Sequence, residues 1–237
     1  MHRSQLLVIT PLRKEFDVLV QALHHHGYAI EEAAVGKIQS CRFPTLGSTI
    51  AVGGHGKAQC AVQTQYLLDR CGEVSVVVCV GAAGCLAQRP QIGDLVVGTH
   101  TVEHDYNLRF VQRPLPMFPG DEAELESLRR SVSQSVWTFG ISFGAIASGD
   151  EDIVTTDRAK ALAAQTGAVC VAWEGAGVAR ACAFNEVPFM EIRGITDVAD
   201  KAAPLDFSHN LQLALSHLAL LLIAWCTGGQ ATTELHT

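Results

Sequence analysis

The 237-residue sequence has few positive charges and few aromatic residues, and it contains no run of basic residues. Lysine and arginine together number 17 against 24 aspartates and glutamates, which gives a formal net charge of −7. Nucleic-acid binding requires clustered basic side chains that neutralise phosphates, so this composition disfavours a nucleic-acid partner. Only 6% of the residues are aromatic in a chain that is 48% hydrophobic, so Ala, Val, Leu and Ile dominate the predicted core. A small molecule is the favoured partner.

Sequence signatures of metal binding, secretion and membrane insertion are also missing. The eight cysteines include no CxxC pair, so we expect neither a zinc site nor another cofactor, and unpatterned cysteines favour a reducing cytoplasm. The N-terminus lacks the layout of a signal peptide. The most apolar stretch, LQLALSHLALLLIAW (211–225), is shorter than the roughly 20 residues of a membrane span and contains His217. We interpret it as a buried or interface-facing helix, and the HHH run (24–26) as the solvated end of the first helix.

Strand-like and helix-like segments alternate along the chain. Apolar runs predict strands at LLVIT (6–10), IQSCRF and STIAVGG (a hairpin), VSVVVCV (74–80), GDLVVGT, ISFGAIAS, AVCVA and VPFMEIRGI. Helices are predicted from Pro11 to about His25, from Lys57 to Arg70, over DEAELESLRRSV, TTDRAKALAAQTG and EGAGVARACAFN, and from near Asp206 onward. The proline-rich segment 109–121 is predicted to be an irregular loop. The alternation predicts a single α/β domain over residues 1–237, with helices on both faces of a parallel or mixed sheet.

Chemistry-bearing residues collect directly after the predicted strands, where ligands bind in such sheets. The segments that follow the strands are PLRKE, with Arg13 and Glu15, and then GGHGK (53–57), GAAG (81–84), SGDED, WEG and TDVAD. Glycines at these points let backbone N–H groups approach a ligand, although GGHGK does not have the spacing of a phosphate-binding P-loop. Glu15, Glu174 and Asp197 could each instead be a structural acid that compensates a helix start or caps a turn.

The order and spacing of these segments carry a family resemblance. The stretches 76–105, SGDEDI (148–153), 171–200 and GGHGK together resemble the nucleoside phosphorylase and nucleosidase superfamily. Within it they most resemble the methylthioadenosine/S-adenosylhomocysteine nucleosidases. The resemblance covers nearly the whole chain. It implies an α/β/α sandwich around a mixed, twisted, partly barrel-like sheet, cleavage of a purine nucleoside at its N-glycosidic bond, and a homodimer.

The resemblance also implies roles for individual residues. Glu15 matches the glutamate that activates the attacking water, Glu174 matches the ribose-binding glutamate, and Asp197 matches the aspartate that serves the base. Arg193 is expected to fix Asp197 or the neighbouring backbone. The remaining expected substrate-binding residues are Ala82 and Gly84 of GAAG, Asp152 and Ile153 of SGDEDI, Trp173 of VAWEG, and Arg13.

Several positions differ from the family pattern and leave the exact reaction and substrate open. Asp152 replaces an aromatic residue of the nucleosidases, Ala172 and Trp173 replace a glutamate and a methionine, and Ala82 replaces a serine.

A purine nucleoside phosphorylase is the nearest rival to a hydrolase. Its phosphate-binding arginine and serine align with Cys79 and Ala82, although PLRK resembles a phosphate loop in which Arg13 would bind an anion. The sequence is also compatible with a futalosine or nucleotide N-glycosidase, and with a nucleoside-binding sensor that has no catalytic activity.

Overall fold

The computed structural model describes residues 5–107 and 109–228. Its strands are β1 Leu6–Thr10, β2 Glu31–Glu32, β3 Ser40–Phe43, β4 Ser48–Val52, β5 Val76–Cys85, β6 Leu95–Glu103, β7 Met117–Pro119, β8 Ile141–Ser148, β9 Cys170–Ala172 and β10 Phe189–Asp197. Its helices are α1 Arg13–His25, α2 Lys57–Leu68, α3 Glu122–Ser133, α4 Thr156–Thr166, α5 Gly175–Phe184 and α6 Ala203–Thr227. The predicted alternation of strands and helices is therefore confirmed.

The sheet is open at one end and closed into a ring at the other. Strands β2, β3, β4 and β1 form the open part, and β1 pairs in parallel with the first half of β5. Strand β10 pairs in parallel with β5 on one side and antiparallel with β6 on the other. The ring then runs through β8 and β9 back to the end of β5. This mixed, partly barrel-like sheet confirms the expected fold class.

Helices cover both faces of the open sheet because its strands are apolar on both sides. Along β1, Leu6 and Val8 pack with α1, α3 and α6, whereas Leu7 and Ile9 pack with α2 and α5. Such continuous burial is typical of parallel strands sandwiched between helices.

Helix α6 is long and apolar enough to cross a membrane by length and composition alone. Its Leu211, Leu215, Leu218 and Trp225 are nevertheless buried in the core of this fold. It packs against β10, α1 and α3. The apolar stretch 211–225 is thus a core helix.

Several elements differ from the sequence predictions. Helix α1 begins at Arg13 rather than Pro11, because Glu15 accepts the Leu12 N–H and fixes the helix start there. Helix α6 begins at Ala203, ahead of the predicted start near Asp206. The segment 109–121 contains the short strand β7, which pairs with β6. The GAAG segment (81–84), which was expected to follow the strand predicted at 74–80, is instead part of β5, which extends to Cys85.

Candidate active site

A cavity of about 400 Å³ opens where β1, β9 and β10 end and the second half of β5 passes beneath them. This volume is within the range of pockets that hold small molecules. Its described lining residues are Leu12, Glu15, His55, Ala82, Ala83, Gly84, Glu151, Asp152, Ile153, Val154, Val171, Ala172, Trp173, Glu174, Thr196, Asp197, Ala199, Ala203, Pro204 and Phe207. Residues distant in sequence thus meet at one edge of the sheet.

Glu15 is buried in the first turn of α1, and its carboxylate is held at both oxygens. Oε2 accepts the Leu12 N–H at 2.9 Å, and Oε1 accepts the Ala82 N–H at 2.8 Å. Burial and the nearby charge of Glu174 raise the pKa of Glu15 to about 7, although Arg193 and the two N–H groups oppose the shift. A carboxyl with this pKa exchanges a proton with water near neutral pH, as a general base must.

The glycines of GAAG make room for acidic side chains. A Cβ atom on Gly81 would lie 2.6 Å from Glu15 Oε1, and one on Gly84 would lie 2.7 Å from Asp197 Oδ1. Such distances are shorter than van der Waals contact, so any larger residue would displace the carboxylates. In β5 these glycines therefore allow the acids of two other elements to approach the strand, rather than forming a turn.

Glu174 stands at the start of α5, directly after β9, and is one of three charged groups buried together. Its Oε1 accepts the Gly56 N–H at 3.3 Å, and its Oε2 lies 3.7 Å from Nη2 of Arg193. Arg193 also donates from Nε to Oε1 of Glu191 at 2.8 Å. Burial raises the pKa of Glu174, and Arg193 and the Gly56 N–H partly oppose that shift.

Asp197 lies at the end of β10 and is fixed by its immediate neighbours. The Ala199 N–H donates to Oδ1 at 2.9 Å, and the Thr196 hydroxyl lies 2.9 Å from Oδ2. Burial raises the pKa of Asp197, and these hydrogen bonds oppose the shift. A raised pKa favours the protonated form, which can donate a proton to a leaving group.

Arg193 does not contact Asp197, and that part of the sequence interpretation is wrong. Its guanidinium points back into the sheet, where it bonds Glu191, lies close to Glu174 and donates to the Ala82 carbonyl at 3.4 Å and to Cys79 Sγ at 3.3 Å. The second expectation for Arg193, contact with neighbouring backbone, corresponds to the Ala82 carbonyl. The buried guanidinium therefore compensates the negative charge of the carboxylates that lie behind the cavity.

Two further predicted residues shape the wall. The ring of Trp173 packs edge-on against His55, with centroids 4.5 Å apart. Ile153 is buried and belongs to the same apolar cluster as Ala199, whose N–H holds Asp197. The exposed Asp152 lies beside Ile153 at this end of the cavity.

Arg13 lies outside the cavity, in contrast to the sequence expectation. Its side chain is 64% exposed and pairs with Asp17 one helical turn away, at 2.8 Å. It lines a separate open groove with Lys37 and Tyr66. The helix start that directs Glu15 inward therefore directs Arg13 to solvent.

The described lining of the cavity is strongly acidic. It contains five acidic side chains and no lysine or arginine; the five are Glu15, Glu151, which is paired with Arg158 outside the lining, Asp152, Glu174 and Asp197. Such a surface stabilises positive charge that develops on a bound molecule and disfavours an anion.

No group of three or more His, Cys, Asp or Glu side chains among the described residues could hold a metal ion. His24, His25 and His26 are exposed at the end of α1.

Sequence reasoning missed His55, Phe207 and Glu191. His55 lies between two glycines after β4, and both Gly54 and Gly56 have positive φ, which directs the loop toward the cavity. The glycine–histidine–glycine pattern after a strand was the available signal. Phe207 lies in the first turns of α6, where no sequence signal distinguishes it from the other apolar residues of that helix. Glu191 is a buried strand residue whose partnership with Arg193 depends on the strand geometry.

Comparison with known proteins gives a consistent result. The family described as the phosphorylase superfamily matches residues 5–225. The 5'-methylthioadenosine/S-adenosylhomocysteine nucleosidase of Thermotoga maritima is 29% identical over 218 residues, which cover 90% of this chain and 91% of the relative. A nucleosidase of the same name from Neisseria meningitidis, solved in complex with methylthio-immucillin-A, is 25% identical with a TM-score of 0.81, covering 94% and 98% of the two chains.

The native futalosine hydrolase of Helicobacter pylori strain 26695 has a TM-score of 0.83 at 24% identity, covering 95% and 98% of the two chains. At that identity the likeness shows the fold alone. The family match extends over nearly all of the sequence: the chain belongs to the phosphorylase superfamily.

Proposed function

We propose that this protein hydrolyses the N-glycosidic bond of a purine nucleoside of the methylthioadenosine/S-adenosylhomocysteine type and releases the base. One observation carries the proposal: three buried carboxyls, Glu15, Glu174 and Asp197, face one cavity whose described lining has no lysine or arginine. The name and overall similarity of the Thermotoga maritima relative support the same reaction.

The proposed mechanism assigns one task to each acid. Glu15 takes a proton from a water molecule, whose oxygen forms a bond to the sugar carbon as the carbon–nitrogen bond breaks. Asp197 gives its proton to the departing purine nitrogen, and Glu174 accepts hydrogen bonds from the sugar hydroxyls. Because positive charge develops on the sugar during cleavage, the acidic lining favours the transition state. Each general acid or base contributes typically about 10²–10⁴-fold to the rate.

Phosphorolysis fits the site less well because phosphate would need a cationic partner. Arg193 is committed to the buried carboxylates and the β5 backbone, and Arg13 is directed to solvent. Positions 79 and 82, where the related phosphorylases bind phosphate, are Cys and Ala. The same acidic lining disfavours a substrate with a net negative charge, such as a nucleotide. A sensor without turnover would not require a carboxyl with a pKa of about 7 beside the sugar.

Incubation with a panel of purine nucleosides, with and without phosphate, tests the proposal. Base release at the same rate in phosphate-free buffer, with free sugar as the second product, is the expected result. A strict phosphate requirement with sugar phosphate as product would replace the hydrolase proposal with a phosphorylase, and nucleoside retained intact would indicate a binding protein.

We further propose a homodimer that functions in a reducing cytoplasm. Phe110, Val111 and Met117 are exposed within the segment 109–121, which is the kind of apolar surface that a second subunit covers. None of the eight cysteines, all of which lie within the described residues, forms a disulfide, and seven of them are buried, which suits a compartment where thiols stay reduced.

A further inference from the structure

The start of helix α2 binds two carboxylates from distant parts of the chain. Helix starts leave backbone N–H groups without partners, and α2 has no side-chain cap of its own. The Gly56 N–H donates to Oε1 of Glu174, and the next N–H, of Lys57, donates to Oδ1 of Asp150 at 2.8 Å. Two successive peptide N–H groups, one on each side of the Gly56 Cα, therefore connect the cavity residue Glu174 with Asp150.

Asp150 is itself held by Asp105, which also binds the side chain of Lys57, the residue whose N–H Asp150 caps. The Asp150 N–H donates to Oδ2 of Asp105 at 2.9 Å, and the ammonium group of Lys57 donates to Oδ1 of the same Asp105. The three residues thus form a closed loop of hydrogen bonds that joins the ends of β6 and β8 to the start of α2.

A second set of contacts anchors this loop. Lys57 Nζ also donates to Oε1 of Glu103 at 2.8 Å, and Arg180 of α5 donates to Oε2 of Glu103 at 2.5 Å. Burial alone would lower the pKa of Lys57 and raise the pKa of Asp105. The hydrogen bond between the two side chains and their bonds to neighbouring groups outweigh burial, so the pKa of Lys57 is raised and the pKa of Asp105 is lowered. Lys57 and Asp105 are therefore both charged across the neutral pH range.

Close packing transmits the position of Lys57 to its neighbours. A Cβ atom on Gly177 of α5 would lie 2.2 Å from the Lys57 carbonyl oxygen, and one on Gly56 would lie 3.3 Å from Oδ1 of Asp150. The main chain at 56–57 therefore lies between α5 and Asp150 with little free space. A shift of Asp150 moves the Gly56 N–H relative to Glu174.

We propose that Asp150, held by Lys57 and Asp105, is a positioning residue that directs the Gly56 N–H at Glu174. Through this hydrogen bond it sets the orientation in which Glu174 receives the sugar hydroxyls. The inference rests on the proposed function, in which Glu174 binds the sugar of a nucleoside.

The test pairs variants with substrates that lack single sugar hydroxyls. Asp150→Ala removes the acceptor for the Lys57 N–H, and we expect kcat/KM for the ribonucleoside to fall at least about tenfold, the scale of a lost hydrogen bond to a charged group. For the 2′-deoxy or 3′-deoxy analogue that lacks a hydroxyl bound by Glu174, we expect a loss below about threefold, since that interaction is already absent. Asp150→Asn keeps an acceptor oxygen and should restore most of the ribonucleoside activity.

Two further variants keep the test decisive. Asp105→Asn weakens the support of Asp150 without removing the cap, so a smaller loss with the same substrate dependence is expected even where Asp150→Ala fails to fold. Asp157→Asn, an exposed acid seven residues farther along the chain, serves as the control and should change neither substrate. Equal losses on ribonucleoside and deoxy analogues, in proportion to a lowered melting temperature, would overturn the positioning role while the hydrolase function stands. A wild-type protein that cleaves none of these nucleosides would overturn the proposed function and this inference with it.

Discussion

The substitution Glu15→Gln distinguishes two possible roles of Glu15, a general base or an acid that only fixes the helix start. The two roles predict different changes in stability and in turnover rate. The substitution keeps the shape of the side chain and removes its titration. In the wild type, Glu15 has a pKa of about 7 against 4.5 without burial, so the folded protein holds this proton more tightly than the unfolded chain. The stability that Glu15 contributes is therefore largest below pH 4.5 and is lost as the pH rises through 7.

The size of the effect follows from the two pKa values. With 4.5 in the unfolded chain and about 7 in the fold, ionisation of Glu15 lowers the free energy of unfolding by about 0.8 kcal/mol at pH 5 and about 3.3 kcal/mol at pH 8. Glutamine does not ionise, so the variant does not lose stability in this way as the pH rises. Its NH₂ group faces the Leu12 N–H, and this mismatch of about 1 kcal/mol is independent of pH. The stability of the variant relative to the wild type should thus increase by about 2.5 kcal/mol between pH 5 and pH 8.

Urea unfolding of both proteins at pH 5 and pH 8 measures this difference, and base release measures the rate. Turnover by Glu15→Gln should fall at least about 10²-fold with little change in nucleoside affinity, as expected for a lost general base. Wild-type activity should rise with pH through about 7, because the base must be ionised. Asp17→Asn, an exposed change on the same helix, is the matched control and should affect neither property. A stability difference that is the same at both pH values, with turnover within a few-fold of wild type, would show that Glu15 only fixes the helix start.

Two more outcomes are expected. Asp197→Asn should slow cleavage of purine nucleosides at least about 10²-fold but partly spare a nitrophenyl riboside, whose leaving group needs less protonation; equal rate losses that track the melting temperature would remove Asp197 from the mechanism. Sedimentation at micromolar concentration should show a homodimer with residues 109–121 at or beside its interface, and an active monomer would contradict that assembly.

Most of the fold could be predicted because strand and helix periods are local properties of the sequence. The apolar run at 74–80 predicts a strand buried on both faces, and this prediction is confirmed for the first half of β5. Its continuation through GAAG could not be predicted, since glycine and alanine carry no strand preference. There the strand is stabilised by pairing with β10 and β9, which are more than 80 residues away in the sequence. Closure of the sheet into a ring depends on the same long-range pairing.

The sequence predicted which strand ends form the candidate site, but it did not predict which side chains contact one another there. Considering the residues after each strand grouped Glu15, Glu174 and Asp197. The rule explains Glu15 and Asp197, because β1 and β10 run parallel to β5 and their carboxyl ends share one edge. Glu174 reaches the same cavity for another reason, since β9 pairs antiparallel with the end of β5. The same rule placed Arg13 with them. Arg13 lies outside the cavity because it is two positions from Glu15 on α1, and helix positions two apart point about 200° apart, to nearly opposite sides. Knowing that a residue follows a strand does not tell in which direction its side chain points.

The partner of Arg193 illustrates why proximity in sequence misleads within a strand. Arg193 and Asp197 are four residues apart in β10, and at about 3.3 Å per residue they are separated by some 13 Å along it. Glu191, two residues away on the same face, is within reach, and Glu174 is brought there from the end of β9.

One buried guanidinium thus faces Glu174 and Glu191, whereas the third acid nearby, Glu15, forms no ion pair within the part of the chain that the structure describes. Burial and the charge of Glu174 then prevail over Arg193, and the pKa of Glu15 remains near 7. The arrangement that withholds Arg193 from a phosphate is therefore also the one that lets Glu15 take a proton from water at neutral pH.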